Sequence, residues 1–166
     1  GPGTDSGTFD YFTETVNGKP GASRPDYTAS EDDNALVRGI SGDTNAMGYF
    51  GYAYYTSNKD KLKLVPIDGG TGAVLPTPDT INTGEYSPLS RPIFIYVRKA
   101  ALSRPEVIEF TVFYISNAGS LASEVGYIPL PDVAYERALD KITRGLSGTA
   151  YGENEAARAA DILVNE

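Results

Sequence analysis

The sequence predicts an α/β protein, and three observations carry that prediction. The run RPIFIYVRK is rich in β-branched and aromatic residues and is typical of a buried strand, which we expect over residues 93–96. The shorter run KLKLVPI alternates apolar and polar residues, as a half-exposed strand does. Around these runs lie stretches with helical spacing of apolar residues and with start signals ahead of them. Strands interspersed with helices define the α/β class.

The first helix is expected over residues 7–16. Phe9 and the apolar residues three and seven positions after it share one helical face. Asp5 or Ser6 is expected to cap the start, because either side chain can accept a hydrogen bond from a free amide of the first turn. The segment NGKPG, which begins at Asn17, should end this helix through its turn chemistry.

A second helix is expected to begin within two residues of Ser30. Ser30 and Asp33 are spaced as a variant of the capping box, and three acidic residues suit the positive end of a helix dipole. Its buried face would contain Leu36, Val37 and Ile40. We interpret EDDN as a helix start rather than a calcium site, since an EF-hand loop needs alternating ligands and a distal glutamate.

The rest of the chain offers fewer distinct signals. AMGYFGYAYY is expected to be a strand leading into a short helix with its rings in the core, or alternatively a ring stack for bases or sugars. DGGTGAVLPTPDT is expected as a turn or loop, and it lacks the Lys-Ser/Thr of a P-loop. Helices are expected from Ser103, with Pro105 in the first turn, and from near Pro131. The tail from Thr149 is either a loose helix or disordered.

Composition excludes several functions. The 166 residues contain 14 basic and 22 acidic side chains, and the net charge of −8 argues against a nucleic-acid partner. Cysteine and histidine are absent, which excludes a disulfide, a thiol nucleophile, an imidazole base and the usual zinc ligands. We therefore expect no metal and no cofactor. No signal peptide, lipobox or long apolar run is present, so we expect any targeting segment to lie outside this chain.

Ser6-Gly7-Thr8 at a helix start has a specific chemical use. The first amides of a helix have no intrahelical acceptor, and the helix dipole adds a partial positive charge there. Gly7 removes the Cβ so that an anion can approach the backbone, and Ser6 and Thr8 add two hydroxyl donors. The motif is thus suited to a small tetrahedral oxyanion, although a capped helix without a ligand is the simpler interpretation. Asp5 would repel a bare anion but could accept a hydrogen bond from a protonated one, as in hydrogen phosphate.

Five blocks of the sequence resemble, in order, the C-terminal half of the phosphate-binding proteins of bacterial high-affinity phosphate ABC importers, particularly a cyanobacterial-like branch. The blocks are GPGTDSGTFDYFTE, DYTASEDDNALVRGI, NAMGYFGYAYYTSNKDKLKLVPI, YSPLSRPIFIYVRK and VGYIPLPDVAYERALDKI. This resemblance implies a type II periplasmic-binding-protein fold with two α/β lobes and phosphate in the cleft between them. It covers residues 1 to about 145.

The resemblance also implies a division of the chain. Residues 1–88 would form most of the second lobe, which carries the anion-binding helix start. Residues 89–148 would form the return strand of the hinge and the C-terminal helices of the first lobe, and residues 149–166 the tail. The N-terminal lobe would be missing, so the fold would be incomplete, and we expect the uncovered apolar surface to cause self-association or to recruit an added chain.

The family's phosphate contacts carry over to Ser6, Gly7 and Thr8. Many members have an arginine four residues before that serine, where this sequence has Pro2. Arg24 is our candidate replacement, with a surface or interlobe salt bridge as its alternative role. The other phosphate contacts of the family would lie on the missing lobe.

The implied function is capture of inorganic phosphate outside the cytoplasmic membrane, in the periplasm or extracellular space, and its delivery to the permease of the importer. A phosphatase is disfavoured, because Ser6 has no evident base and no metal cluster is visible. A third hypothesis is an oxyanion sensor or structural fragment without a role in transport.

Overall fold

The computed structural model describes residues 1–148, and most of its regular structure is helical. The helices in these residues span Gly7–Asn17 (α1), Asp33–Ser41 (α2), Tyr52–Thr56 (α3), Pro78–Asn82 (α4), Pro105–Glu124 (α5) and Asp132–Thr143 (α6). The strands Ile67–Asp68 (β1) and Ala73–Val74 (β2) pair as an antiparallel hairpin. The tail expected from Thr149 lies outside the described residues.

The described chain divides into two compact units, the first spanning Gly1–Pro66 and the second beginning at Ile67. The predicted division at residue 88 concerns lobes rather than compact units, so it stays a prediction.

The core of the first unit draws its buried residues from both α1 and α2. Phe9, Leu36 and Val37 are buried, and the hydroxyl-bearing Thr13 is only 1% exposed. Ahead of each helix runs a short extended segment, and Pro2 pairs with Ser30 in a parallel bridge. Because α1 connects these two parallel segments, the unit begins with an extended segment followed by α1 and then a second extended segment followed by α2. This order brings the starts of α1 and α2 to the same edge.

The second unit is built around α5 and α6. Ala134 on α6 is buried, and the ring of Tyr135 packs against Gly119 of α5. The Tyr135 hydroxyl accepts a hydrogen bond from the Leu130 amide at 3.0 Å, and the Asn82 side chain donates to the Pro129 carbonyl at 3.2 Å. These two hydrogen bonds hold the connection between α5 and α6 against α6 and against the end of α4.

The predicted helices are largely confirmed. Helix α1 begins at Gly7 and ends at Asn17, and Gly18 caps it in the left-handed conformation with a φ of 75°. Helix α5 begins at Pro105, after a 3₁₀ turn over Lys99–Ser103, and α6 begins directly after Pro131. Local start and stop signals therefore decided these bounds.

The expected start of α2 needs correction. The N-cap is Asp32 rather than Ser30, and the first helical residue is Asp33, one residue beyond the predicted window. Ser30 is held in the extended segment, because its amide donates to the Gly1 carbonyl at 3.2 Å. Its hydroxyl accepts from the Asp32 amide at 3.1 Å, which leaves Asp32 to cap the helix.

The predicted strands are mostly wrong. Residues 93–96 form neither strand nor helix, KLKLVPI contributes only its last residue to β1, and AMGYFGYAYY supplies α3 without the strand expected before it. A strand needs a hydrogen-bonding neighbour, whereas a helix satisfies its own backbone. The segment DGGTGAVLPTPDT forms the expected turn only in its first part. DGGTG is the turn of the β1–β2 hairpin, where Asp68 accepts from the Gly70 and Gly72 amides at 2.8 and 3.0 Å, whereas the rest contains β2 and the beginning of α4.

Large apolar side chains remain exposed in the second unit. On α5, Phe110 and Phe113 are 65% and 61% exposed, and Tyr114 is also exposed. Residues 93–97 are exposed as well. Among the helices of residues 1–148, none combines the length and apolarity required to cross a membrane.

Candidate functional site

The start of α1 is a capped helix with its glycine open to solvent. The Ser6 hydroxyl oxygen accepts a hydrogen bond from the Thr8 amide at 3.2 Å, and the first intrahelical bond runs from the Asp10 amide to the Ser6 carbonyl. Gly7 is exposed, while Ser6 and Thr8 are half-buried. The amides of residues 7–9 precede the first intrahelical bond, so this end of α1 carries the partial positive charge of the dipole.

Capping does not exhaust the chemistry of Ser6. A hydroxyl that accepts one hydrogen bond still has its own proton to donate. The Ser6 hydroxyl therefore remains available as a donor. Neither the Ser6 nor the Thr8 side chain is fully buried. The role of these residues toward an anion, and the concavity that they were predicted to share, stay predictions.

Two further contacts hold the segment ahead of α1 in place. The Tyr27 hydroxyl donates to the Pro2 carbonyl at 3.1 Å, and the rings of Tyr27 and Phe9 stack at 6.2 Å between centroids. One turn further along the same face of α1, the rings of Phe12 and Tyr49 stack with 3.8 Å between their centroids. The helix is thus fixed by aromatic contacts on its buried face while its start stays polar.

Asp5 lies immediately before the cap, and its side chain is exposed. Its amide donates to Oε1 of Glu31 at 3.4 Å. The backbone of Asp5 is therefore engaged with the start of α2, whereas its carboxylate is free to face solvent or a ligand.

Arg24 forms a local ion pair with Asp26. Its Nε and Nη2 donate to the two carboxylate oxygens of Asp26 at 2.8 and 2.6 Å, and both side chains are exposed. This bidentate bond raises the pKa of Arg24 and lowers the pKa of Asp26. The contact is the salt bridge that the sequence left open as an alternative, and the role of Arg24 toward an anion stays a prediction.

Neighbouring carboxyl groups at the start of α2 have pKa values shifted in opposite directions. The pKa of Asp32 is lowered, chiefly because its carboxylate accepts the Asn34 amide at 2.9 Å. The pKa of Asp33 is raised, first by burial and then by the negative charges of Asp32 and Glu31. The acidic run stands at the start of α2, where Asp32 is the cap. Within residues 1–148 no group of acidic side chains is arranged to hold a metal ion.

Sequence reasoning missed the contact between Glu31 and Gly3. A methyl group built on Gly3 would overlap Oε1 of Glu31, so the carboxylate lies directly against the backbone of the loop before α1. The signal was present in part, because a glycine there indicates a close approach. Its partner is 28 positions away in the chain, and only the parallel pairing of Pro2 with Ser30 brings the two together.

The sequence of this chain matches a known protein family. The model of the PBP superfamily domain matches residues 1–118. Protein SphX of Synechocystis sp. is 49% identical over 91% of this chain, and the phosphate-binding protein PstS of Staphylococcus aureus is 39% identical over 85% of it. The chain spans 45% and 42% of the length of those two relatives.

A solved structure supports the fold independently. It is the crystal structure of a possible phosphate binding protein from Planctomyces limnophilus, whose sequence is 50% identical to this one. The two structures superpose with a TM-score of 0.76 over 88% of this chain and 52% of that one. These matches confirm the fold class and the resemblance to phosphate-binding proteins seen in the sequence. The chain belongs to the PBP superfamily.

Proposed function

We propose that this chain carries one half of a site for inorganic phosphate in the solute-binding component of a phosphate ABC importer. The observation that carries the proposal is the start of α1, where two hydroxyls flank an exposed glycine ahead of the first intrahelical bond. Relatives named phosphate-binding proteins support the choice of ion. In this proposal Ser6, Gly7 and Thr8 bind the phosphate oxygens directly.

Asp5 and Arg24 take supporting roles in the proposed site. The Asp5 carboxylate would accept a hydrogen bond from the P–OH group of hydrogen phosphate and so disfavour sulfate, which has no hydroxyl to donate near neutral pH. Arg24 would exchange Asp26 for the ligand when the second half of the site closes. That exchange costs little because an ion pair so exposed to solvent contributes little to stability.

The proposed protein binds and delivers its ligand without chemical conversion. The other half of the site would lie on a first lobe that precedes this chain, and residues 89–148 would pack against that lobe. The whole protein would work in the periplasm or at the extracellular face, associated with the membrane through the permease that receives the ion. Its targeting segment would lie outside this chain.

The test is calorimetric titration of phosphate and sulfate into the full protein and its variants. Ser6→Asp is the sharpest variant, because aspartate caps a helix about as well as serine but places a negative charge where the anion would bind. We expect Ser6→Asp to retain the wild-type melting temperature and to lose phosphate binding. Thr8→Val should weaken binding about tenfold or more, since a hydrogen bond to a charged group contributes about 1.5–3 kcal/mol.

Thr15→Val is the matched control, because Thr15 lies on the same helix two turns after the motif. It should leave the phosphate affinity unchanged. Phosphate binding by Ser6→Asp at wild-type affinity would refute the proposed site, and preferential binding of sulfate would refute the proposed ligand.

A further inference from the structure

Glu31 stands ahead of α2, yet its carboxylate contacts the loop that leads into α1. Its Oε1 accepts the Asp5 amide at 3.4 Å and lies against the backbone of Gly3. The side chain is exposed to solvent apart from these contacts. A carboxylate so near a positive helix end would be expected to cap that helix, but Ser6 already does so.

We infer that Glu31 is a positioning residue for the start of α1, holding the loop of residues 3–5 so that Ser6, Gly7 and Thr8 are presented to the ligand. The inference that this affects phosphate rests on the proposed function. The inference that Glu31 holds the loop rests on the contacts alone.

The geometry of the loop explains why such a residue is needed. Within the loop the Ser6 amide donates to the Gly3 carbonyl at 3.1 Å, which closes one tight turn. The Asp5 amide donates to Glu31 at 3.4 Å instead, so its hydrogen bond leaves the loop and connects it to the segment before α2. Without Glu31 that amide would lack its acceptor, and the turn before the cap could rotate.

The parallel bridge fixes where Glu31 stands. The Ser30 amide is bonded to the Gly1 carbonyl, and Ser30 pairs with Pro2. The next residue along one segment is Glu31 and the next along the other is Gly3, so their meeting follows from the register of the bridge. Gly3 has no Cβ that would displace the Glu31 carboxylate, so the contact depends on both residues.

The test compares Glu31→Ala, Glu31→Gln and Gly3→Ala in the full protein. Amide hydrogen exchange at Asp5 reports the loop, and titration of phosphate reports the site. Glu31→Ala should speed exchange of the Asp5 amide about tenfold and weaken phosphate binding about five- to tenfold, which corresponds to the loss of one hydrogen bond. Glu31→Gln keeps an oxygen acceptor and should restore both values to within about threefold of wild type.

Gly3→Ala should reproduce the effect of Glu31→Ala by displacing the carboxylate. Only the end of a flexible side chain lies in the way of the new methyl group, so the fold should be retained. The double variant should then be no worse than either single variant, because both remove the same contact. Glu14→Ala is the charge control, since it removes the same charge from the exposed surface of α1 beyond its first turn.

The two measurements separate the possible failures. If neither the wild-type protein nor any variant binds phosphate, the proposed function is wrong. The exchange rate of the Asp5 amide then still decides whether Glu31 holds the loop. Equal Asp5 exchange in wild type and Glu31→Ala would overturn the inference. It would also be overturned if phosphate binds but Glu31→Ala and Glu14→Ala have equal affinities.

Discussion

The two units of the chain differ in how completely they cover their own side chains. In the first, Phe9 of α1 is 3% exposed, and the start of the same helix is capped and tied to a neighbouring segment. In the second, Phe110 of α5 is 65% exposed. The contrast indicates that the first unit buries its own apolar side chains, whereas α5 has an apolar face suited to burial against another layer. In the proposed lobe assignment the first lobe would cover α5.

The largest predicted effect comes from supplying that first lobe. We expect the chain of residues 1–166 to bind phosphate weakly, with a Kd of about 1 mM or about −4 kcal/mol. An ion held by one helix start stays hydrated, and water screens its donors. Restoring the preceding lobe should tighten binding by several orders of magnitude, because both sets of donors then act in a closed cleft. Calorimetric titration into both proteins is the measurement.

The oligomeric state in solution should change together with the phosphate affinity. The same lobe should cover α5, so the chain by itself should self-associate, and sedimentation should show less association once the lobe is present. Micromolar binding by the chain alone would show that the site is complete without the lobe, and the proposed half-site would be wrong. A monomer at high concentration would contradict the proposed cover of α5.

The next largest effect compares the same substitution in the two units. Phe9→Ala removes a buried ring and should cost about 3–5 kcal/mol of unfolding free energy. Phe110→Ala removes an exposed ring and should change that free energy by less than about 0.5 kcal/mol. Chemical denaturation monitored by circular dichroism measures both values. Equal losses would mean that Phe110 is covered in solution, for example by a second copy of the chain.

Much of the helical structure could be predicted because its causes are local. Ser6, Pro105 and Pro131 each stand at a helix start, and their effects depend on the residues next to them. The cap of α2 could not be decided in this way. Ser30 and Asp32 are both good caps, and a bond to Gly1, 29 positions away, takes Ser30 out of the helix.

The strands and part of the site depended on partners distant in the chain. The apolar run at residues 93–96 has the composition of a strand, but composition does not supply the neighbour that a strand must pair with. In the site, the hydroxyls and glycine of α1 were visible as a motif. Glu31 was not, because its contact with Gly3 and Asp5 exists only when two segments run side by side.

A smaller effect distinguishes two buried threonines, one in each unit. Thr13 donates to the Phe9 carbonyl and also accepts the Gly21 amide at 2.8 Å, whereas Thr111 donates to the Val107 carbonyl one turn earlier. Thr13→Val leaves the Gly21 amide without its acceptor and should cost about 1–3 kcal/mol. The matched Thr111→Val should cost less than about 1 kcal/mol, since that carbonyl keeps its helical bond.

Denaturation of the two variants under one set of conditions gives the comparison directly. Both substitutions keep the β-branched shape, so packing changes little and the hydrogen bonds account for the difference. Thr13→Ser serves as the control, because it keeps the hydroxyl. Equal losses for Thr13→Val and Thr111→Val would show that the Gly21 bond contributes nothing to the first unit.

The smallest predicted effect is a pair of opposite pH dependences at the start of α2. Asp32 has a pKa below its ordinary value of 3.8, so the native state binds fewer protons there, and its contribution to stability is lost as pH falls through the lowered pKa. Asp33 has a pKa above 3.8, so the native state binds more protons, and stability is lost as pH rises through the raised pKa. In the wild type, Asp32 makes stability increase with pH, and Asp32→Asn should remove that increase. Asp33 makes stability decrease with pH, and Asp33→Asn should remove that decrease. Melting temperatures measured from about pH 3 to pH 6 should show the two variants deviating from wild type in opposite directions, and deviations of the same sign would contradict the assigned causes.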